Sequence, residues 1–219
     1  MKASIIITSY NYAQYIERSI RSCLSQKFPE DQFEVIVVDD ASTDNTIEIL
    51  EKFSSHKNFR YILNEKNVGV AESANSGIKA YFGRYFIRVD ADDYIHDQLL
   101  FLLSFYLEAN HDAFCVSCDY WLVDEFENKI KRKYAETDPV SCGIMYRTDL
   151  ILKHGLYDPR FRHREEEELR HRLAEYYRAH HLRLPLYRYR MHDSNKTKDT
   201  DALAKYFDFI NELHSPDAT

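Results

Sequence analysis

Residues 85–93, Tyr85-Phe86-Ile87-Arg88-Val89-Asp90-Ala91-Asp92-Asp93, fix the reading of the whole chain. The aromatic and β-branched run 85–89 has strand character and ends abruptly in acid. Two earlier stretches repeat the form. The strand-like run at 3–8 passes into Thr8-Ser9-Tyr10-Asn11, and the run at 33–38 into Asp39-Asp40-Ala41-Ser42. In open α/β sheets ligands bind at the carboxyl ends of the strands, so these strands bring their polar groups to one edge. Ionised carboxylates crowded there repel, by about 4 kcal/mol per pair at 4 Å and an effective dielectric of 20. A divalent cation removes that cost. Mg²⁺ takes one or two carboxylates and completes its shell with substrate phosphates and water. Asp90-Ala91-Asp92 therefore reads as a metal-bridged diphosphate site, with Mg²⁺ as the ion. The plainer alternative, a cap on the following helix, needs only one Asp. For Asp39-Asp40 a turn and cap is the stronger competitor.

Around these stretches the chain alternates. Helical spacing is seen over 14–26 (Ile16, Ile20, Cys23, Leu24), over 70–81 and over 97–108. Another helix starts at the capping residues Ser42-Thr43-Asp44 and continues through Ile47, Leu50 and Phe53, and a further strand falls at 58–63. Strands alternating with helices predict an α/β fold: a mixed, mainly parallel sheet flanked by helices. After residue 113 the strand-like pieces at 113–123, 129–135 and 141–147 lack obvious intervening helices, which predicts an antiparallel section. Helices at 148–154 and 164–179, a strand near 183–191 and a helix near 202–213 follow. No repeat, low-complexity tract or linker interrupts the chain, which reads as one domain. Phe101, Phe105 and Tyr106 read as core rather than as a platform for a ligand.

Composition narrows the ligand. Only 5 of the 219 residues are glycine, no two of them form G-x-G, and none opens a G-x-x-x-x-G-K run. This excludes a Walker A loop and a dinucleotide-type glycine fingerprint. Any bound nucleotide must have its phosphates held in another way, and a cation on the strand-end acids supplies one. Lys+Arg 29 against Asp+Glu 36 leaves a net charge of −7. Generic nucleic-acid binding needs a basic surface and is disfavoured. Ile5-Ile6-Ile7 is too short for a signal peptide, and no 18-residue apolar run exists for a membrane span. The expected location is the cytosol, at most on the inner face of a membrane. Cys23, Cys115, Cys118 and Cys142 are expected as free thiols there. Cys115 and Cys118 lie three apart in one strand, so they face opposite sides, and no second C-x-x-C completes a zinc site.

Four segments in order, IIITSYNYAQYIERSIRSCLSQKF (5–28), FEVIVVDDASTDNTIEIL (33–50), NEKNVGVAESANSGI (64–78) and YFIRVDADDY (85–94), resemble the signature segments of inverting glycosyltransferases of family 2. Those enzymes have the GT-A fold and use nucleotide-diphosphate sugars, and the resemblance runs from residue 3 to about 110. It implies that Thr8 and Tyr10 sit near the base, and that Asp39, with Asp40 beside it, binds base or ribose. Asn67 of the third segment, Asp90 and Ala91 belong to the same nucleotide site, and Asp92 is the usual ligand of Mg²⁺ or Mn²⁺. Many members carry Arg before the Asn of the third segment, where this chain has Ala74-Asn75. A basic contact to the nucleotide is then lost or supplied elsewhere. The resemblance divides the single domain into a nucleotide-sugar half (1–110), an acceptor and catalytic-base half (111–195) and a helical tail (196–219).

Arg164-Glu165-Glu166-Glu167-Glu168-Leu169-Arg170-His171-Arg172-Leu173 is the second informative stretch. The plain reading is a solvated helix with Glu166–Arg170 and Glu168–Arg172 pairs at i,i+4. Helical spacing puts Glu166, Leu169 and Leu173 on one face, with Glu165 beside it, Glu167 pointing away and Glu168 to one side. An inward carboxylate is desolvated and its pKa rises. Inverting transfer needs such a group to take the acceptor hydroxyl's proton. The segment is similar to the family's E-D-x-x-L motif, in which Asp is the base. Aligning Leu169 places that base at Glu166, with Glu165 as the alternative. Glu in place of Asp moves the carboxylate by roughly 1.5 Å, enough to matter for attack geometry.

Tyr189-Arg190-Met191-His192 resembles the family's Y-R-x-H segment, which implies Arg190 at the diphosphate and His192 at the diphosphate or metal. A plain structural histidine is the competing reading. The expected partners are a nucleotide-diphosphate sugar, a UDP-sugar first, and a glycan or lipid-linked acceptor, with peripheral association at a membrane. Two other readings stay open: a catalytically silent sugar-nucleotide- or partner-binding module, and a phosphohydrolase with Asp90 as nucleophile. The second fits less well, because Asp93-Tyr94 follows Asp92 where that chemistry wants Thr or Val and a Lys.

Overall fold

The structure, a computed structural model, describes residues 2–81, 83–193, 195 and 198–214. The first half lays down β1 (Ala3–Ser9), β2 (Phe33–Asp39), β3 (Phe59–Leu63) and β4 (Tyr85–Asp90). Between them come α1 (Ala13–Leu24), α2 (Thr46–Glu51) and α3 (Val70–Lys79). β1 runs parallel to both β2 and β4, and β3 runs parallel to β2. The register is what builds the site: Thr8 lies beside Asp90 and Ser9 beside Asp39, so three chain segments end together.

The second half reverses direction. It holds β5 (Tyr94–Ile95), α4 (Leu99–Ala109), β6 (Ala113–Val123), β7 (Lys129–Lys133) and β8 (Ile144–Arg147). After these come α5 (Thr148–His154), α6 (Glu165–Leu173), β9 (Arg178–Arg190) and α7 (Thr200–Leu213). Among the described residues the strands form one sheet in the order β3-β2-β1-β4-β8-β6-β9-β5, with β7 paired to β6. The β4–β8, β8–β6 and β6–β7 pairs are antiparallel, as the missing helices predict.

Two expectations fail here. The helix predicted over 164–179 ends at Leu173, and the strand predicted from 183 begins at Arg178. The reason is tertiary: the first part of β6 has a free edge, and residues 178–182 pair with it in parallel. That ladder overrides a weak local helical pattern. Tyr94-Ile95 also forms a short strand, because Tyr187 and Arg188 offer it an antiparallel partner.

Alternation along the strands divides the core. Ile5 and Ile7 pack on one face with Val35, Val37 and Val89. Ile6 packs on the other with Ile36, Val38 and Phe86. Cys118 belongs to the first cluster and Cys115 to the second, and all four cysteines are buried and free. Gly77 lets α3 lie close to the sheet, since a Cβ there would come within 2.6 Å of Ile6 Cγ2. The aromatic residues of α4 correct another expectation. Leu99, Leu100, Leu103 and Leu107 fill its inner face, and Phe101 and Phe105 stand in solvent, 51% and 64% exposed.

Candidate active site

A cavity of about 1050 Å³ opens at the carboxyl ends of the parallel strands. Thr8, Tyr10, Asp40, Asn67, Asp90, Ala91 and Asp92 line it from the first half, and Glu165 and Glu166 line it from the second. Asp39, Arg190 and His192 stand behind the lining.

The part of the cavity formed by the first half of the chain is built by loops that hold each other. Asp39 accepts hydrogen bonds from Ser42 N–H (2.9 Å) and Ser42 Oγ–H (2.5 Å). Ser42 Oγ accepts from Asn11 N–H at 2.8 Å, and Asn11 Oδ1 accepts from Thr43 N–H at 2.8 Å. Asn11 (φ 58°) and Ala41 (φ 64°) both occupy the left-handed region. Ala is costly there, so the interlocked bonds hold a strained turn. Asp44 bonds Thr46 N–H and Ala13 N–H, which ties the start of α2 to the start of α1. Asp40 accepts from Val68 N–H (2.9 Å), Gly69 N–H (2.8 Å) and Asn64 Nδ2–H (2.9 Å), and so fastens the loop before α3 to the end of β2. Gly69 has φ 94°, which glycine permits.

The three acids after β4 converge. One ligand oxygen from each of Asp90, Asp92 and Asp93 falls within 4.8 Å of the other two. Their surroundings separate their roles. Asp93 is buried and accepts from Tyr187 O–H (2.7 Å) and Arg190 N–H (2.8 Å). Burial, then the Asp92 and Asp90 charges, push its carboxyl well above the usual range. Asp90 is raised by burial, with the Arg88 guanidinium opposing and Asp92 adding to the rise. Asp92 Oδ2 lies 2.8 Å from His192 Nε2. Arg190 donates to Asp92 O (2.9 Å), Glu125 O (3.0 Å) and Glu127 Oε1 (3.2 Å). Arg190 and His192, expected at the diphosphate and the metal, both bond to the acid loop here. The donor set is all carboxylate oxygen, which suits a hard divalent cation. Asp93 is engaged by two protein donors, so Asp90 and Asp92 are the residues available to hold the ion.

At the start of α6, the run of glutamates is paired one by one with arginines. Glu165 Oε1 accepts from Arg88 Nη1–H at 2.5 Å, and Glu166 pairs with Arg170 while accepting from Tyr146 O–H at 2.8 Å. Glu167 pairs with Arg164, and Glu168 with Arg172 at 2.9 Å. The i,i+4 pairs expected from spacing are present, but the helix is not solvated. Glu165, Glu166 and Glu168 are 1–3% exposed. Glu168 is covered because His214, beyond α7, and the 154–156 carbonyls bound by Arg172 close over that side. Burial raises the Glu166 pKa, against the pull of Arg170 and the Tyr146 hydroxyl.

Arg88, Tyr146 and Asp93 are site residues that sequence reasoning passed over, and Arg170 was read only as a helix-surface partner of Glu166. Arg88 carried a signal, because a charged residue inside an apolar strand is rarely buried without a carboxylate partner.

Strand-end aspartates at the edge of a parallel sheet, with a carboxylate-bearing helix lining the same cavity, belong to a fold that matches the GT-A glycosyltransferases. The description "Glycosyl transferase family 2" matches residues 4–191. The chain belongs to that family. It is 37% identical over 112 residues to the poly(ribitol-phosphate) beta-N-acetylglucosaminyltransferase TarS of Staphylococcus aureus, covering 51% of this chain and 20% of that relative. The chain thus spans about a fifth of that protein's length. The solved structure of S. aureus TarS 1-349 with UDP-GlcNAc superposes with a TM-score of 0.78 at 24% identity, covering 91% of this chain and 61% of that one. The mannosyltransferase PcManGT from Pyrobaculum calidifontis, solved with GDP-Man and Mn²⁺, gives 0.77 at 18% identity, covering 94% and 61%. No helix among the described residues is long and apolar enough to cross a membrane.

Proposed function

We propose that this chain moves a sugar from a nucleotide-diphosphate donor to a hydroxyl of a glycan or lipid-linked acceptor, with inversion at the anomeric carbon. The observation that carries the reading is one cavity lined by Asp90, Asp92 and Glu166 together. On the donor wall Thr8, Tyr10, Asp40 and Asn67 bind the nucleotide, with Asp39 shaping the turn beneath it. Asp90 and Asp92 hold Mg²⁺ or Mn²⁺, with Arg190 and His192 fixing their loop; when bound, the cation neutralises the departing diphosphate. Glu166 takes the proton from the acceptor hydroxyl as that oxygen attacks the sugar. Tyr146 and Arg170 orient the carboxylate and oppose the upward shift that burial gives it. Glu165, held by Arg88, fixes the start of α6.

The acid-rich donor wall and the UDP-GlcNAc bound by a structural neighbour make a UDP-sugar the first donor to test. A relative whose acceptor is poly(ribitol-phosphate) supports work on a surface polymer, done on the cytosolic side and at the inner face of a membrane. Thermal unfolding with UDP-GlcNAc and GDP-Man, each with Mn²⁺ or with EDTA, tests the proposal. Metal-dependent stabilisation by one donor is the expected result, and no stabilisation by any nucleotide sugar would overturn it.

A further inference from the structure

The arginines of the cavity are matched to glutamates with one exception. Arg88, Arg162, Arg164 and Arg170 all line it. Arg88 is paired with Glu165, Arg170 with Glu166 and Arg164 with Glu167. The nearby Arg160 is held by Asp158 at 2.5 Å. Among the described residues Arg162 meets no carboxylate. Its one hydrogen bond among those residues is a long one, from Nη1 to Asn67 Oδ1 at 3.3 Å.

Its position adds to this. Arg162 belongs to the loop before α6, on the acceptor half, yet its side chain crosses to the donor half and lies over Gly69. A Cβ on Gly69 would sit 3.6 Å from Arg162 Cγ and 3.7 Å from Cζ. Asp40 takes the N–H groups of Val68 and Gly69 just before α3, so those two are not open to an anion. The Ala74 side chain has no donor to offer an anion at this wall. A guanidinium with five N–H donors, one of them used, is suited to a phosphoryl group.

We propose that Arg162 is a phosphate-binding side chain of this cavity, reaching from the acceptor half to a phosphoryl group seated beside Asn67 and Gly69. The inference rests on the sugar-transfer reading above and goes beyond it by assigning a residue outside the strand-end acids. The phosphoryl group has two sources, the donor's diphosphate or a phosphate on the acceptor.

Calorimetric titration of Arg162→Met and Arg162→Lys with UDP, uridine and a ribitol-phosphate oligomer, all with Mn²⁺, separates them. Arg162 is exposed, so unchanged thermal unfolding of the variants is the folding control. UDP binding weakened about tenfold or more in the Met variant and partly restored in the Lys variant, with uridine unaffected, establishes a donor phosphate contact, since charge-assisted bonds are of that strength. Weakened binding of the oligomer alone establishes an acceptor phosphate contact. Equal losses for UDP and uridine, or no change in any arm, overturn the proposal. Wild-type protein that binds neither UDP nor GDP overturns the sugar-transfer reading, and this proposal with it.

Discussion

Glu166 is pulled two ways: burial favours its neutral form, while Arg170 and the Tyr146 hydroxyl favour the carboxylate. A general base works only when ionised, so a raised pKa moves the acidic limb of the kcat profile upward. That limb should lie above the ordinary glutamate range, and Arg170→Met should move it higher still, because the variant removes the largest opposing influence. A limb at the ordinary glutamate position in both proteins would take the base role away from Glu166. Replacing Glu166 by Gln should cut kcat by about 10²–10⁴-fold while UDP affinity stays at the wild-type value. If Glu165→Gln is the inactive variant instead, the base is one residue earlier and the Arg88 pair is the device that tunes it.

Among the elements, β6 is the one on which the second half of the chain is hung. Asp119, fully buried in its middle, accepts from Arg132 Nη2–H on β7 (2.7 Å), lies 2.7 Å from His181 Nε2 on β9, and takes the Ala135 N–H at 3.3 Å. It thereby holds both neighbours and the start of the 134–143 connection, whose residues 139–142 form part of the cavity wall. Truncating it leaves a buried histidine nitrogen and a backbone N–H unpaired, while Arg132, about a third exposed, can turn to water. Asp119→Ala should therefore cost about 2–3 kcal/mol, read as a lower urea midpoint at unchanged slope. A loss under 1 kcal/mol would show that the three partners find water instead.

This element also marks where sequence reading stops. Thr8, Asp39 and Asp90 were legible as one edge because each ends a β-branched run, and strand ends in a parallel sheet must converge. The inward face of α6 was legible from spacing alone. The Arg88–Glu165 pair spans 77 residues and leaves no local pattern. The start of β9 at Arg178 depends on the free edge of β6, and the burial of Glu168 depends on what closes over α6. In each case the deciding partner is distant in sequence, so no window along the chain contains the answer.

Taken as a whole, the molecule carries a net charge of −7 and gathers several of its acids in one cavity. Asp90 and Asp93 are both raised in part by the Asp92 charge, so the acid loop is under electrostatic load without a cation. This sets an unusual sign. Asp92→Asn keeps a side-chain oxygen facing His192 Nε2 and removes the charge, so in EDTA the variant should unfold at the wild-type temperature or above it. Adding Mn²⁺ should reverse the order. At a hundredfold excess over Kd, ligand binding contributes about 2.7 kcal/mol, and for a chain of this size that raises the wild-type Tm by about 5–10 °C. The variant should show little or no rise. If the two proteins gain equally from Mn²⁺, the ion is held away from Asp92, and the carboxylates after β4 serve only to shape the loop.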